Sequence, residues 1–346
     1  MSDNKTPSMR KIFIPLSLLS ILTLAGCAGS PTWFEPASSN AALITNLGTA
    51  IFVIAIGVFV VVESLLVFSV IRFSRKREGE PAQIEGNARF EIAWTAAPAI
   101  VLAVVFFLSL QTLNQVAYSP VAPSGPAGTP AGGSALHVRV VGHQWWWEFD
   151  YPDLNIVTAS ELHVPVNTVV NFDLESVDVI HSFWVPQLAG KTDVIPGHVN
   201  HTWFQASQTG TFHGQCAEFC GIEHALMRLD VVVETSDQFQ AWVKQQQAPV
   251  ATMTGDAARG EPLFLNGACI GCHTIDGTKA QGKVGPNLTH LASRKLFAGA
   301  TFENNADNLK KWLANPPAMK PGTLMPNLNL APSDLDALVA YLTSLK

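Results

Sequence analysis

Two stretches of the chain concentrate side chains that bind transition metals. In Cys216-Ala-Glu-Phe-Cys220-Gly-Ile-Glu-His224-Ala-Leu-Met227, two thiols, an imidazole and a thioether fall within 12 residues. Upstream, Asp178-Val-Ile-His181-Ser-Phe-Trp-Val-Pro186 supplies a second imidazole from another loop. Soft sulfur ligands together with imidazole favour copper, and a thioether argues against zinc. A mononuclear blue-copper site needs one Cys, two His and a weak Met; a second Cys four residues on lets both sulfurs bridge two metals. A Cys216–Cys220 disulfide would leave the His and Met placements unexplained, and a zinc site would leave Met227 idle.

The second stretch, Cys269-Ile-Gly-Cys272-His273, is the C-x-x-C-H pattern of covalent c-type haem attachment. Both thiols then form thioethers to the haem vinyls, and His273 ligates the iron from one side. The other axial ligand is usually a Met in electron-transfer cytochromes, where it raises the potential. Met319 and Met325 are the candidates.

These side chains need elements to hold them. Around the first stretch the chain alternates apolar and polar residues with period two, as in Leu136 to Val141, Val170 to Leu174, Val199 to Ala206 and Leu229 to Val233. Short strands bounded by Pro and Gly over about 100 residues predict a β-sandwich or barrel. From Asp256 onward the texture is helical, with candidate helices at Gly260 to Asn266, Ala306 to Ala314 and Ser333 to Leu345. Ser333 is placed to cap the last of these, with Asp336 in the capping-box position. Two Pro/Gly/Ala- or Gln-rich stretches, Ser119 to Ser134 and Gln245 to Gly255, read as linkers.

Composition adds a membrane. Hydrophobic residues make up 48% of the 346 and charged residues only 14%, an unusual balance for a purely soluble protein. Leu47 to Ile71 and Trp94 to Leu113 are apolar and long enough to span a bilayer, with Pro98 inside the first turn of the second. Arg72, Arg75, Lys76, Arg77 and Arg89 lie between them, so that loop is expected in the cytoplasm. Glu63, at bilayer depth, is expected to face protein or water. A net charge of −6 offers no basic face for nucleic acid and suits a basic electron carrier. At the N-terminus, Lys5, Arg10 and Lys11 precede an apolar run too short to span, ending in Leu24-Ala25-Gly26-Cys27. That ending resembles the bacterial lipoprotein box, which implies cleavage before Cys27 and a lipid on its sulfur. The five cysteines, 27, 216, 220, 269 and 272, thus all have a chemical task, leaving none for a structural disulfide.

The copper stretch resembles the dinuclear centre of cytochrome c oxidase subunit II. The resemblance implies His181, Cys216, Cys220, His224 and Met227 as side-chain ligands and Glu218 as a backbone-carbonyl ligand. It also implies that the Glu218 carboxylate reaches magnesium at the interface with subunit I. Gly142-His-Gln-Trp145-Trp146-Trp147 is similar to the family's aromatic segment, in which the position of Trp145 passes electrons inward; Trp146 and Trp147 read as packing. Phe90-Glu91-Ile-Ala-Trp94 matches the segment before the family's second helix, which puts Glu91 at the mouth of a proton channel. Lys191 to His198 resembles a loop facing subunit I, although His198 stands where Arg is frequent; His213 stands where Tyr is common and has no assigned role. Pro321-Gly-Thr-Leu-Met325-Pro326 resembles the ligand loop of class I cytochromes c and favours Met325, while Gly285-Pro286-Asn287-Leu288 resembles the segment on the proximal side.

The expected chain is therefore a signal peptide over 1–26 and a lipidated two-helix hairpin over 27–118, with spans at about 47–71 and 94–113. A linker (119–135), a cupredoxin-like copper barrel (136–247), a second linker (248–254) and an all-α class I cytochrome c (255–346) follow. Such a chain passes electrons from cytochrome c, or from an upstream quinol:cytochrome c reductase, to subunit I and the other integral subunits of a proton-pumping oxidase in the bacterial inner membrane. The copper and haem domains then face the periplasm, and oxygen is reduced in subunit I. The rivals are a membrane-tethered haem and copper carrier, which does not explain Glu91-Ile-Ala-Trp94 or Glu218, and the copper subunit of a nitric oxide reductase, which co-purification with a large polytopic subunit and the gas that the complex reduces would distinguish.

Overall fold

Two long apolar helices rise into a β-barrel, and a small helical domain sits on that barrel; the computed structural model describes residues 31–74, 83, 85–121 and 135–346. Cys27, the signal-peptide residues 1–26, most of the first linker, and Arg75, Lys76 and Arg77 lie outside the described residues.

Helix α1 (Ser39–Phe73) and helix α2 (Ala88–Ala117) are both longer than their predicted spans. The apolar run of α1 begins at Leu47, but its hydrogen bonding continues back through polar residues to a cap, where Ser38 accepts from the Ala41 N–H. With 35 residues, α1 is about 52 Å long, more than a hydrocarbon core requires. Its surplus first turn is buried in the barrel: Asn40 Nδ2 donates to the Trp203 carbonyl at 3.0 Å, and Ser38 Oγ donates to the Leu188 carbonyl. The Trp203 indole N–H in turn donates to the Val116 carbonyl at 3.0 Å, so one tryptophan ties the barrel ends of both helices. Because α2 starts at Ala88, Pro98 lies in the helix interior and not in the first turn, a correction to the sequence reading. Glu63 and Glu91 are exposed on α1 and α2.

The barrel is built from β1 (Leu136–His143), β2 (Trp146–Tyr151), β3 (Ile156–Ala159), β4 (Glu161–Pro165), β5 (Val169–Ser176), β6 (His181–Trp184), β7 (Thr192–Val194), β8 (Asn200–Gln205), β9 (Gly210–Cys216) and β10 (Arg228–Glu234). They form two five-stranded sheets, ordered β3-β2-β1-β5-β8 and β4-β10-β9-β6-β7. The β1–β5 and β4–β10 pairs are parallel and the others antiparallel. This is the expected cupredoxin-like architecture, and all four alternating stretches are strands. Alternation works because one side of each strand faces the space between the sheets, where Val138, Val140, Phe149, Leu162, Phe172 and Phe204 are fully buried. Each such side chain contributes about 1.5–3 kcal/mol on burial.

The sequence reading lacked helix α3 (Ser236–Gln246), which closes the barrel. A capping box starts it: Thr235 Oγ1 accepts from the Gln238 N–H, and Gln238 Oε1 accepts from the Thr235 N–H. It buries Phe239, Trp242 and Val243.

The C-terminal domain contains α4 (Gly255–Asn266), α5 (Ala306–Ala314), the short α6 (Pro316–Met319) and α7 (Pro332–Ser344). Helices α4 and α7 cross closely, with Gly260 against the Ala337 carbonyl and Phe264 on Tyr341. The expected Ser333 cap is not formed. Pro332 takes the first helical position, where its fixed φ and missing N–H suit it, so the cap position falls to Ala331. Asp336, the expected box partner, instead pairs with Lys310 on α5 at 2.5 Å.

Candidate copper and haem sites

The copper stretch is assembled by strand register. β9 ends at Cys216 and β10 resumes at Arg228, and the loop between them is closed at its neck by a hydrogen bond from Cys216 N–H to the Met227 carbonyl, 2.9 Å. Residues twelve positions long in sequence thus begin and end side by side. Strand β6 lies against β9 with Phe183 opposite Cys216, and Ala217 N–H donates to the Ser182 carbonyl at 2.9 Å. That pairing brings His181 to the loop.

The resulting cluster is tight and buried. Cys216 Sγ lies 3.7 Å from Cys220 Sγ, 3.9 Å from His181 Nδ1 and 3.2 Å from the Glu218 carbonyl oxygen. Cys220 Sγ lies 3.6 Å from His224 Nδ1 and 3.8 Å from Met227 Sδ. His181 and Met227 are fully buried, and both cysteines nearly so. The close contact between the two sulfurs holds the Cys216 thiol well below the usual range and pushes Cys220 up. The shift on Cys216 is toward the thiolate, the state in which cysteine binds metal. His181 Nε2 is held by Asp178 Oδ1 at 2.8 Å, which leaves Nδ1 toward the sulfurs. Burial lowers the His181 pKa, but the hydrogen bonds to Asp178 and Cys216 outweigh it and the net shift is upward. Asp178 was not singled out from sequence, although its place three residues before His181 was a usable signal. Two sulfurs, two imidazole nitrogens, a thioether and a carbonyl make a donor set for soft, thiophilic copper, and the third dimension adds to the sequence pattern that all six converge.

Trp145 packs beside this cluster, its indole N–H donating to the Cys220 carbonyl at 3.0 Å. Trp147 is fully buried and edge-on to Phe183, which agrees with a packing role. The Glu218 side chain opens onto a surface depression that Asp193, Phe219 and Ile180 also line. His213 pairs with Asp230 at 2.6 Å. Glu91 is not part of this site; it lies at the other end of α2, about 39 Å along the helix from Ala117.

In the C-terminal domain, a short 3₁₀ turn over Ala268–Gly271 carries Cys269, and Cys272 follows; both are half-buried and unbridged. His273 Nδ1 lies 2.9 Å from the Pro286 carbonyl, which fixes the ring and leaves Nε2 for another partner. Burial holds its pKa below the usual imidazole value. Met325 packs on the domain core, and its sulfur accepts from the Trp312 indole N–H at 3.1 Å. Met319 ends α6. Two residues not singled out from sequence fit a bound group with acidic edges. His290 and Arg294 are buried, yet both His290 ring nitrogens and Arg294 Nε have no hydrogen-bond partner among the described residues. Buried polar groups are normally satisfied, so these atoms call for acceptors such as carboxylates.

The comparisons with known proteins agree with this geometry. "Cytochrome C oxidase subunit II, transmembrane domain" matches residues 30–112, "Cytochrome C oxidase subunit II, periplasmic domain" matches 155–236, and "Cytochrome c" matches 257–346. Cytochrome c oxidase subunit 2 of Alkalihalophilus pseudofirmus is 36% identical over 341 residues, 96% of each chain. The chain belongs to the cytochrome c oxidase subunit II family. The Bacillus subtilis subunit 2 is 35% identical over 97% of this chain and 98% of its own length. That of Bacillus sp. PS3 is 39% identical over 79% and 80%. Because these matches run through the C-terminal domain, the chain is a subunit II that carries its own cytochrome c domain, a membrane-anchored electron-transfer component of a bacterial haem–copper oxidase. The oxidase domain implies copper and the cytochrome domain implies haem.

Proposed function

We propose that this chain takes electrons from a cytochrome c, or from a quinol:cytochrome c reductase upstream, and hands them to subunit I of a proton-pumping oxidase. The observation that carries this reading is the buried convergence of His181, Cys216, Cys220, His224, Met227 and the Glu218 carbonyl around two sulfurs 3.7 Å apart. These six groups would hold two coppers, and the closeness of the two sulfurs suits a shared pair of metals. Cys269 and Cys272 would bind haem covalently and His273 and Met325 would ligate its iron, while the unpartnered buried nitrogens of His290 and Arg294 suit acidic groups such as those a haem carries. When bound, the haem and the copper pair supply successive one-electron centres between the donor and the oxygen-reducing subunit.

The protein's share of the work is positioning. Asp178 orients His181, the barrel keeps water from the sulfurs, and Trp145 touches the Cys220 carbonyl on the side from which electrons would enter. The Glu218 carboxylate, with Asp193 on the same depression, suits magnesium at the subunit I interface. Glu91, exposed in the first turn of α2, suits the entrance of a proton channel in subunit I. With Arg72 and Arg89 at the loop end of the hairpin, the barrel and cytochrome domain lie on the periplasmic face, and a lipid on Cys27 would add to the anchor.

Rapid mixing of the purified complex with reduced cytochrome c tests the order. The c-haem absorbance should change first and the near-infrared copper band second. Copper reduction that precedes haem reduction would overturn it.

A further inference from the structure

The cytochrome domain is not merely tethered. It is seated on the loop that carries the copper-site residues, and a buried lysine lies at the centre of that seat. Lys320 is 3% exposed, and its ammonium donates to three backbone carbonyls: Leu226 and Ala298 at 3.0 Å and Trp145 at 3.2 Å. Two of these belong to the barrel and one to the cytochrome domain. A side chain that bridges two domains through three acceptors defines direction as well as distance.

The surroundings are shaped to this contact. Gly299 has φ +74°, and a side chain there would run into the Trp145 and Leu226 carbonyls and the Lys320 ammonium together. Its own carbonyl accepts from the Arg228 N–H at 3.0 Å, and Thr301 Oγ1 donates to the Leu226 carbonyl at 3.0 Å. A second anchor lies apart from the first: the buried Glu161 carboxylate on β4 accepts from the N–H groups of Lys295 and Leu296, at 2.5 and 2.9 Å. Two anchors suppress rotation where one would not. Burial lowers the Lys320 pKa to about 8, while the buried Glu223 carboxylate acts to raise it. A buried charge of this kind is better suited to fixing one arrangement than to adding net stability.

What the seat brings together is the two ligand loops. Gly322, two residues after Lys320, lies so close to Ile222 that a side chain there would collide with it. Ile222 stands between Cys220 and His224, and Gly322 stands three residues before Met325. We propose that Lys320 is a positioning residue that holds the cytochrome domain in a single pose, keeping the Met325 loop on Ile222 so that electrons cross between the two centres without a docking step. With both groups bound, each transfer would move one electron from the haem held beside Met325 to the copper held beside Cys220, the reduced donor supplying the next electron, with no bond made or broken. The proposal rests on the haem-then-copper order.

The test is Lys320→Met in the intact complex, with haem and copper spectra confirming that both centres are loaded. Three carbonyls lose the ammonium, with Leu226 keeping a second donor in Thr301 Oγ1, so the Arg228 amide, bonded across the interface to Gly299, should exchange with solvent about tenfold faster or more. Haem-to-copper transfer after photoreduction should slow by a similar factor and become viscosity-dependent, with both potentials unchanged. In the unmodified complex it should be independent of viscosity. Unchanged exchange and rate in the variant would overturn the proposal. So would a rate already proportional to inverse viscosity in the unmodified complex, or a slowing that follows a changed potential. Amide exchange reads the seat without any electron transfer, so a wrong electron order would leave its result standing.

Discussion

The barrel and the cytochrome domain hold their chemistry in opposite ways. In the barrel, Cys216, Cys220 and Met227 belong to the apolar core and His181 is buried beside them, with hydrogen bonds at the loop neck and to Asp178 fixing the cluster. In the cytochrome domain, Cys269, Cys272 and His273 are half-buried, Met325 and Trp312 lean on the core from its edge, and His290 and Arg294 carry unsatisfied buried nitrogens. The first site is framed by the apolar fold and its loop hydrogen bonds, whereas the second includes buried polar atoms that a bound prosthetic group would satisfy. A copper centre gains from a rigid frame that resists rearrangement on redox change. A haem is large enough to be part of the core itself.

The sharpest way to break this contrast is to remove each site's sulfurs in turn. Cys269→Ala with Cys272→Ala should abolish the cooperative melting of the cytochrome domain, because its core loses the haem and leaves the His290 ring nitrogens and Arg294 Nε unpaired at about 1–3 kcal/mol for each buried group. Calorimetry of the variant should still show the barrel transition. Two intact transitions would mean that the cytochrome core is complete without haem.

The corresponding change in the barrel should be much milder. Cys220→Ser ought to remove the near-infrared absorption of the copper pair while costing about 1–3 kcal/mol of barrel stability, the usual range for a buried polar mismatch. The c-haem band should remain. A copper band that survives would sink the bridging role of Cys220, and an unfolded barrel would sink the idea that its frame is prepared in advance.

The same contrast governs what could be read from sequence. Cysteine, histidine and methionine spacing made the copper cluster and the haem motif visible, and period-two alternation located β1, β5, β8 and β10. Hydropathy found both membrane helices but stopped where residues became polar, so it missed the turns of α1 that Ser38 and Asn40 anchor to the barrel. Long-range partners were invisible for a plain reason. Lys320 and Glu161 look like surface charges in sequence, and only the domain packing turns them into buried anchors. Asp178 was legible in principle, since a carboxylate close to a ligand histidine is a familiar way of fixing a ring. Helix α3 was also legible, because Thr235-Ser-Asp-Gln238 is a capping-box pattern, but its position in a Gln-rich stretch disguised it as the approach to a linker.

That helix offers the smallest effect and the finest test of the barrel's independence. Thr235 supplies both halves of the box, its hydroxyl accepting from Gln238 N–H at 3.3 Å and its own N–H donating to Gln238 Oε1 at 3.0 Å. Losing an N-cap side chain costs about 1 kcal/mol. The cost should fall on the barrel, because α3 lays Phe239 and Trp242 on it and Trp242 stacks on His163 of β4 at 4.5 Å. Thr235→Ala should therefore lower the barrel's denaturant midpoint by an amount equivalent to about 1 kcal/mol, with the slope of the transition unchanged. The copper band should be unaffected, since no copper-site residue belongs to α3. The cytochrome transition should also hold its place. One hydrogen bond ties α3 to that domain, from Gln246 Nε2 to Ser293 Oγ at 3.2 Å, in the last turn and far from the cap. A matching shift in the cytochrome transition would show that the two domains melt as one unit, and the division between a prepared site and a cofactor-built one would then have to be drawn within a single cooperative fold.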